Sequence, residues 1–131
     1  MKKEDILNDK IIFIVDDELD SAESLEFLLS EYYKNIYTYK NGLEAYTAIV
    51  KDDIIPDLII SDVHMPMLDG AEMVNKLKIS KYDIPIVFIT AHLDAVTLKK
   101  TIETDPLRLI YKPITHVDIF VNEINSIVLG E

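Results

Sequence analysis

Three short apolar runs punctuate the chain, Ile11-Ile12-Phe13-Ile14-Val15, Leu58-Ile59-Ile60 and Ile86-Val87-Phe88-Ile89, and none of them alternates with polar residues. A strand with one wet face would alternate, so these runs predict strands covered on both faces. Between and after them the spacing becomes helical. Leu25, Leu28, Leu29 and Tyr32 recur at i, i+3, i+4 and i+7, and Val117, Phe120, Val121, Ile124 and Val128 repeat the pattern near the end. Weaker helical segments follow Asn41, an N-cap candidate with Glu44 three residues on, and Asp69-Gly70, after which Met73, Val74 and Leu77 share a face. Ala95, Leu98 and Ile102 give a thin stripe for a further helix. Ile36-Tyr37-Thr38-Tyr39 has the mixed polarity of an edge strand, and Leu109-Ile110-Tyr111 completes a set of five strands. The strip Tyr32, Tyr33, Tyr37 and Tyr39 is expected at the core margin and the sheet edge, with a partner-binding patch as the alternative.

Strands that alternate with helices imply right-handed crossovers and a parallel sheet covered on both faces, hence an α/β layer sandwich. The chain has 131 residues, about one domain's worth, and no Pro/Gly/Ser-rich linker divides it. A single domain over 1–131, structured from roughly residue 10 to 129, is the expectation. With 13 Lys plus Arg against 24 Asp plus Glu the net charge is −11, which repels a phosphate backbone and an anionic bilayer. Direct nucleic-acid binding and membrane association are therefore not expected. The absence of cysteine removes disulfides, thiolate nucleophiles and thiolate metal sites. The opening carries no secretory h-region and no apolar stretch approaches the length of a membrane span, so a cytoplasmic protein is expected.

In open parallel sheets ligands sit outside the carboxyl ends of the strands. The residues that follow the apolar runs here are Asp16-Asp17-Glu18, Ser61 and Asp62, Thr90, and Lys112. Carboxylates facing one another in a cleft call for a raised pKa or a divalent cation. Mg²⁺ suits an all-oxygen donor set, and no His pair stands at ligand spacing. A lysine and a hydroxyl at the same rim suit an anion, and carboxylates, Mg²⁺ and Lys together are the equipment of phosphoryl transfer. Asp62, alone at the tip of the central run, is the candidate nucleophile for an aspartyl phosphate.

Asp16-Asp17, the string Asp62-Val63-His64-Met65-Pro66-Met67-Leu68-Asp69-Gly70, Thr90-Ala91 and Lys112-Pro113 occur in an order and spacing that resembles bacterial response-regulator receiver domains, across essentially the whole chain. The resemblance implies a flavodoxin-like fold with strand order 2-1-3-4-5 and a phosphorylation-dependent switch. In such a switch Asp62 takes a phosphoryl group from a phosphohistidine of a sensor histidine kinase or a histidine phosphotransfer protein. It further implies that Asp17 and Asp62 bind Mg²⁺ directly, that Asp16 acts nearby or through water, and that the His64 backbone carbonyl completes the protein ligands. Thr90 and Lys112 would hold phosphoryl oxygens, and the Lys112-Pro113 bond would be cis. Such a protein modifies itself and turns over no external substrate.

Two features depart from the family pattern. Leu109 stands where an aromatic residue usually swings inward, and Thr104-Asp105-Pro106-Leu107-Arg108 lacks the usual small Gly-Ala turn. The expectation is intact phosphorylation chemistry with an unusual output, delivered through another protein, a homodimer, or a domain beyond Glu131. His64 and His92, two residues after Asp62 and Thr90, are expected to tune the aspartyl-phosphate lifetime, and His116 has no assigned role. Two alternatives stand beside the switch. One is a Mg²⁺-dependent phosphohydrolase with His64 as general acid, for which the chain offers no capping segment. The other is a binding module that is never phosphorylated. Gly42, Gly70 and Gly130 form no phosphate-cradling loop for a dinucleotide or flavin.

Overall fold

The structure is a computed structural model that describes residues 3–131. Its elements run α1 (Lys3–Asn8), β1 (Ile11–Val15), α2 (Leu19–Leu29), β2 (Asn35–Tyr39), α3 (Gly42–Val50), β3 (Leu58–Ser61), α4 (Gly70–Ile79), β4 (Ile86–Thr90), α5 (Ala95–Glu103), β5 (Arg108–Tyr111) and α6 (Val117–Leu129). The five strands form one parallel sheet in the order β2-β1-β3-β4-β5, as the resemblance implied.

The sheet separates two hydrophobic cores, which explains why its inner strands do not alternate. From β1, Ile12 and Ile14 enter the core beneath α2 and α6, while Phe13 and Val15 enter the core beneath α3 and α4. The same division runs through β3 and β4, where Ile60, Val87 and Ile89 face one side and Ile59, Ile86 and Phe88 the other. A strand with apolar cover above and below has no polar face to display. Strand β2 is at the edge, and its Tyr37 and Thr38 are exposed. Phe13 holds it through ring contacts to Tyr37 and Tyr39, with centroids 5.8 and 4.7 Å apart.

Helix starts follow their capping residues. Asn41 Oδ1 accepts from Glu44 N at 2.8 Å at the start of α3. Asp69 and Glu72 form a reciprocal capping box at the start of α4. Asp94 caps α5 by accepting from Thr97 N at 2.8 Å, and Gly130 ends α6 in the left-handed region that favours glycine.

Three details differ from the hydrophobic pattern. Helix α1 is unsignalled, because Leu7 is its only buried residue among those whose burial is described. Helix α5 forms, but Ala95 and Ile102 of its apolar stripe are exposed and Thr101 is its buried residue. The Thr101 hydroxyl donates to Thr97 O at 2.8 Å, so a polar side chain can be buried there without an unmet donor. Tyr33 lies in the core rather than at its margin, with its hydroxyl donating to Asn125 Oδ1 at 2.7 Å.

Candidate functional site

The residues after each strand end are held by continuation of the sheet ladder. Asp16 N donates to Tyr39 O at 2.9 Å, Asp62 N to Val15 O at 2.8 Å, and Lys112 N to Thr90 O at 2.8 Å. Each functional residue is thus positioned by the backbone of the neighbouring strand, one step beyond regular pairing.

The loop after Asp62 is drawn in by two glycines. Gly70 N donates to Val63 O at 2.9 Å, and a Cβ at residue 70 would stand 2.6 Å from Asp62 O and 2.7 Å from the Phe88 ring. Gly42 N donates to Leu68 O at 3.0 Å, and a Cβ there would meet that oxygen at 2.5 Å. Both glycines are required by close approach of backbone. Between them Met67, 75% exposed, adopts a positive φ of 71° at the turn of the loop.

At the rim, Asp16, Asp62 and Thr90 are buried while Asp17 is exposed. One carboxylate oxygen from each of Asp16, Asp17 and Asp62 lies within 4.8 Å of the others. The Lys112 ammonium spans the cluster, 3.0 Å from Asp16 Oδ2 and 3.1 Å from Asp62 Oδ2. The remaining oxygens are also engaged, since Asp16 Oδ1 accepts from Glu18 N at 2.9 Å and Asp62 Oδ1 from Val63 N at 2.7 Å. Burial pulls the Lys112 pKa down, but the hydrogen bonds and charges of Asp16 and Asp62 outweigh it, and the net shift is upward. The lysine is therefore firmly cationic at neutral pH, and the Lys112-Pro113 bond is cis.

The structure brings Asp16, Asp17, Asp62 and Lys112 together, with Thr90 at the end of the strand between β3 and β5. The His64 and His92 side chains are exposed on the surrounding loops. Ser21, in the first turn of α2, also belongs to the site, its Oγ 3.4 Å from Lys112 Nζ. Nothing in the sequence marks it, because a serine near a helix start reads as an ordinary surface residue. Leu109 is half-buried and packs against the core beneath α3 and α4.

The sequence profile that describes the response regulator receiver domain matches residues 12–122. The chain belongs to the response regulator receiver domain family. It is 30% identical over 113 residues to the transcriptional regulatory protein HptR of Staphylococcus aureus (strain NCTC 8325), covering 84% of this chain and 43% of that protein. It is 29% identical over 127 residues to hybrid signal transduction histidine kinase D of Dictyostelium discoideum, covering 94% of this chain and 8% of that protein. The chain thus spans less than half the length of these relatives. Among solved structures, the receiver domain of a signal transduction histidine kinase from Syntrophus aciditrophicus superposes with a TM-score of 0.80 at 29% identity, covering 92% of this chain and 91% of that one. The receiver domain of NarL from Mycobacterium tuberculosis gives 0.79 at 18% identity, covering 93% and 98%, a likeness of fold. A receiver domain of this kind is a component of two-component signalling, and the three convergent aspartates have the donor chemistry of a Mg²⁺ site: hard oxygens at a solvent-accessible rim.

Proposed function

We propose that this receiver domain is a phosphorylation-dependent switch in which Asp62 accepts a phosphoryl group from a phosphohistidine. The observation that carries the reading is the placement of Lys112 against the buried Asp62 carboxylate, beside two further aspartates. A carboxylate oxygen of Asp62 attacks phosphorus and the P–N bond of the phosphohistidine breaks. The bonding pair stays on the ring nitrogen, and an imidazole protonated at its other nitrogen leaves as the neutral ring. In reversal of the signal, water attacks phosphorus and inorganic phosphate leaves, restoring the carboxylate. Asp16, Asp17 and Asp62 would hold Mg²⁺, with the His64 backbone carbonyl as a further ligand. The ion supplies neutralisation of charge on the phosphoryl oxygens. Lys112 would contribute the same stabilisation through its ammonium, and the Thr90 hydroxyl would donate to a phosphoryl oxygen.

The partners that fit are a sensor histidine kinase or a histidine phosphotransfer protein, in the cytoplasm. No helix among the described residues is long and apolar enough to cross a membrane. Phosphorylation adds charge and acceptor oxygens at the rim, biases a two-state equilibrium, and alters the surface read by an output protein, an output domain or a second copy. Leu109 removes the aromatic ring that usually reports the move of the threonine. The half-buried β5 and the segment before it therefore carry the output differently from the family pattern. His64 and His92, exposed and two residues after Asp62 and Thr90, would tune the lifetime of the phosphorylated state. Intact mass after incubation with a small acyl phosphate tests the reading. One added phosphoryl group that is not gained when a chelator is present from the start supports it, and no addition to the folded, Mg²⁺-loaded domain overturns it.

A further inference from the structure

A lysine ammonium has three N–H donors. At Lys112 two of them reach carboxylates, Asp16 Oδ2 at 3.0 Å and Asp62 Oδ2 at 3.1 Å, and the third reaches Ser21 Oγ at 3.4 Å. Ser21 is half-buried and stands where Lys112 borders a groove of about 390 Å³ between α2 and the segment after β5. Leu25, Leu28, Ile89 and Ile114 supply much of the groove wall. Asp20 and Ser24 also line it, but neither hydrogen-bonds to Lys112. The third donor therefore turns toward a largely apolar groove, in which the Ser21 hydroxyl is its acceptor. An N–H left without one there would draw the head group away from its two carboxylates.

We propose that Ser21 is a positioning residue that fixes the rotation of the Lys112 ammonium, so that one N–H points at Asp62 and transfers to a phosphoryl oxygen when Asp62 is modified. This inference rests on the proposed phosphoryl-transfer function. Its geometric basis is that Asp16 and Ser21 are two anchors that do not change during the reaction, leaving one donor for the group that does. With Asp16 alone, the head group can turn about its Cε–Nζ bond and slide toward the groove. The α2 helix thereby contributes to the site through a side chain whose hydrogen bond is to Lys112.

The test compares wild type with Ser21→Ala, Ser21→Thr and Ser24→Ala, the last a groove residue without contact to Lys112. The readouts are the rate of phosphorylation by a small acyl phosphate, Mg²⁺ affinity by calorimetry, and the ¹⁵N-detected Lys112 ammonium signal. Ser21→Ala is expected to slow phosphorylation about fivefold, the loss expected for one long hydrogen bond to a charged group. Its ammonium protons exchange with solvent faster, while Mg²⁺ affinity stays at the wild-type value. Ser21→Thr restores the rate and the signal, and Ser24→Ala matches wild type throughout. A wild type that gains no phosphoryl group overturns the proposed function and this inference with it. A wild type that is phosphorylated at the same rate as Ser21→Ala overturns this inference alone, as does a slowed Ser21→Ala whose Lys112 signal is unchanged or whose rate Ser21→Thr does not restore.

Discussion

The Lys112 ammonium stands 3.1 Å from Asp62 Oδ2, although the two residues leave strands that are not neighbours. Strand β4 lies between them, so the lysine side chain arches over the end of β4 to reach Asp62. That arch decides the electrostatics of the site. Without it, the buried Asp16 and Asp62 would face one another and Asp17 with no cation between them.

Lys112→Ala should therefore destabilise the domain at neutral pH in the absence of Mg²⁺. Removing one partner of a largely buried ion pair leaves uncompensated charge. Lys112 keeps some solvent contact, so a loss of about 2 kcal/mol is expected, smaller than for a fully buried pair. Urea denaturation measures it, and Asp62→Asn in the same background should recover part of the loss by removing one of the repelling carboxylates.

Asp17 behaves differently because it is exposed and is not an acceptor of Lys112. Asp17→Asn should change the stability of the metal-free domain by no more than about 0.5 kcal/mol, as at an ordinary surface site. Wild type should gain thermal stability as Mg²⁺ is added, by mass action on the folded state, and Asp17→Asn should show little of that gain. Thermal unfolding with Mg²⁺ and with a chelator measures both effects.

Gly70→Ala should cost about 3 kcal/mol, at the upper end for an inserted methyl group. The new Cβ would meet the Asp62 carbonyl at 2.6 Å and the Phe88 ring at 2.7 Å, and a backbone atom cannot step aside as a side-chain end can. Since the carbonyl belongs to Asp62, the proposed phosphoacceptor, the variant should also be phosphorylated more slowly. Denaturation midpoint and phosphorylation rate report the two effects.

Alkaline pH should weaken the fold through groups whose pKa rises on folding, Tyr33, Tyr39 and Lys112. Burial raises the pKa of Tyr33, so its folded form keeps a proton that the unfolded chain loses above about pH 10, and stability falls as pH rises past that point. The net upward shift of Lys112 acts in the same window, its contribution being complete below the unfolded value of about 10.4 and lost as pH passes through the higher folded value. Tyr33→Phe should cost about 1 kcal/mol at pH 7, where Asn125 Oδ1 loses its donor, and should flatten the decline above pH 10. Denaturation at pH 7 and at stepped alkaline pH checks the sign.

The sheet and the strand-end residues were legible because two-sided burial imposes unbroken apolar runs and ends each one on a polar residue. Asp16 and Thr90 follow directly from that rule, Asp62 stands one residue beyond Ser61, and Lys112 follows β5, which is only half-buried. What escaped was chemistry carried by partners distant in sequence. Ser21 and Lys112 are 91 residues apart, and Tyr33 and Asn125 are 92 apart, so no local pattern announces either bond. Thr101 escaped for another reason, since a count of apolar positions cannot register a hydroxyl whose hydrogen bond to Thr97 O permits its burial. Leu7 gave α1 too little pattern to be seen.

The most direct test of the switch is to locate the phosphoryl group. The domain is incubated with a small acyl phosphate and Mg²⁺, the acyl phosphate formed on the protein is reduced with borohydride, and the peptides are sequenced by mass spectrometry. Reduction confined to position 62, and lost in Asp62→Asn, is the predicted result. A folded, Mg²⁺-bound domain that is modified elsewhere, or not at all, would contradict the assignment of Asp62.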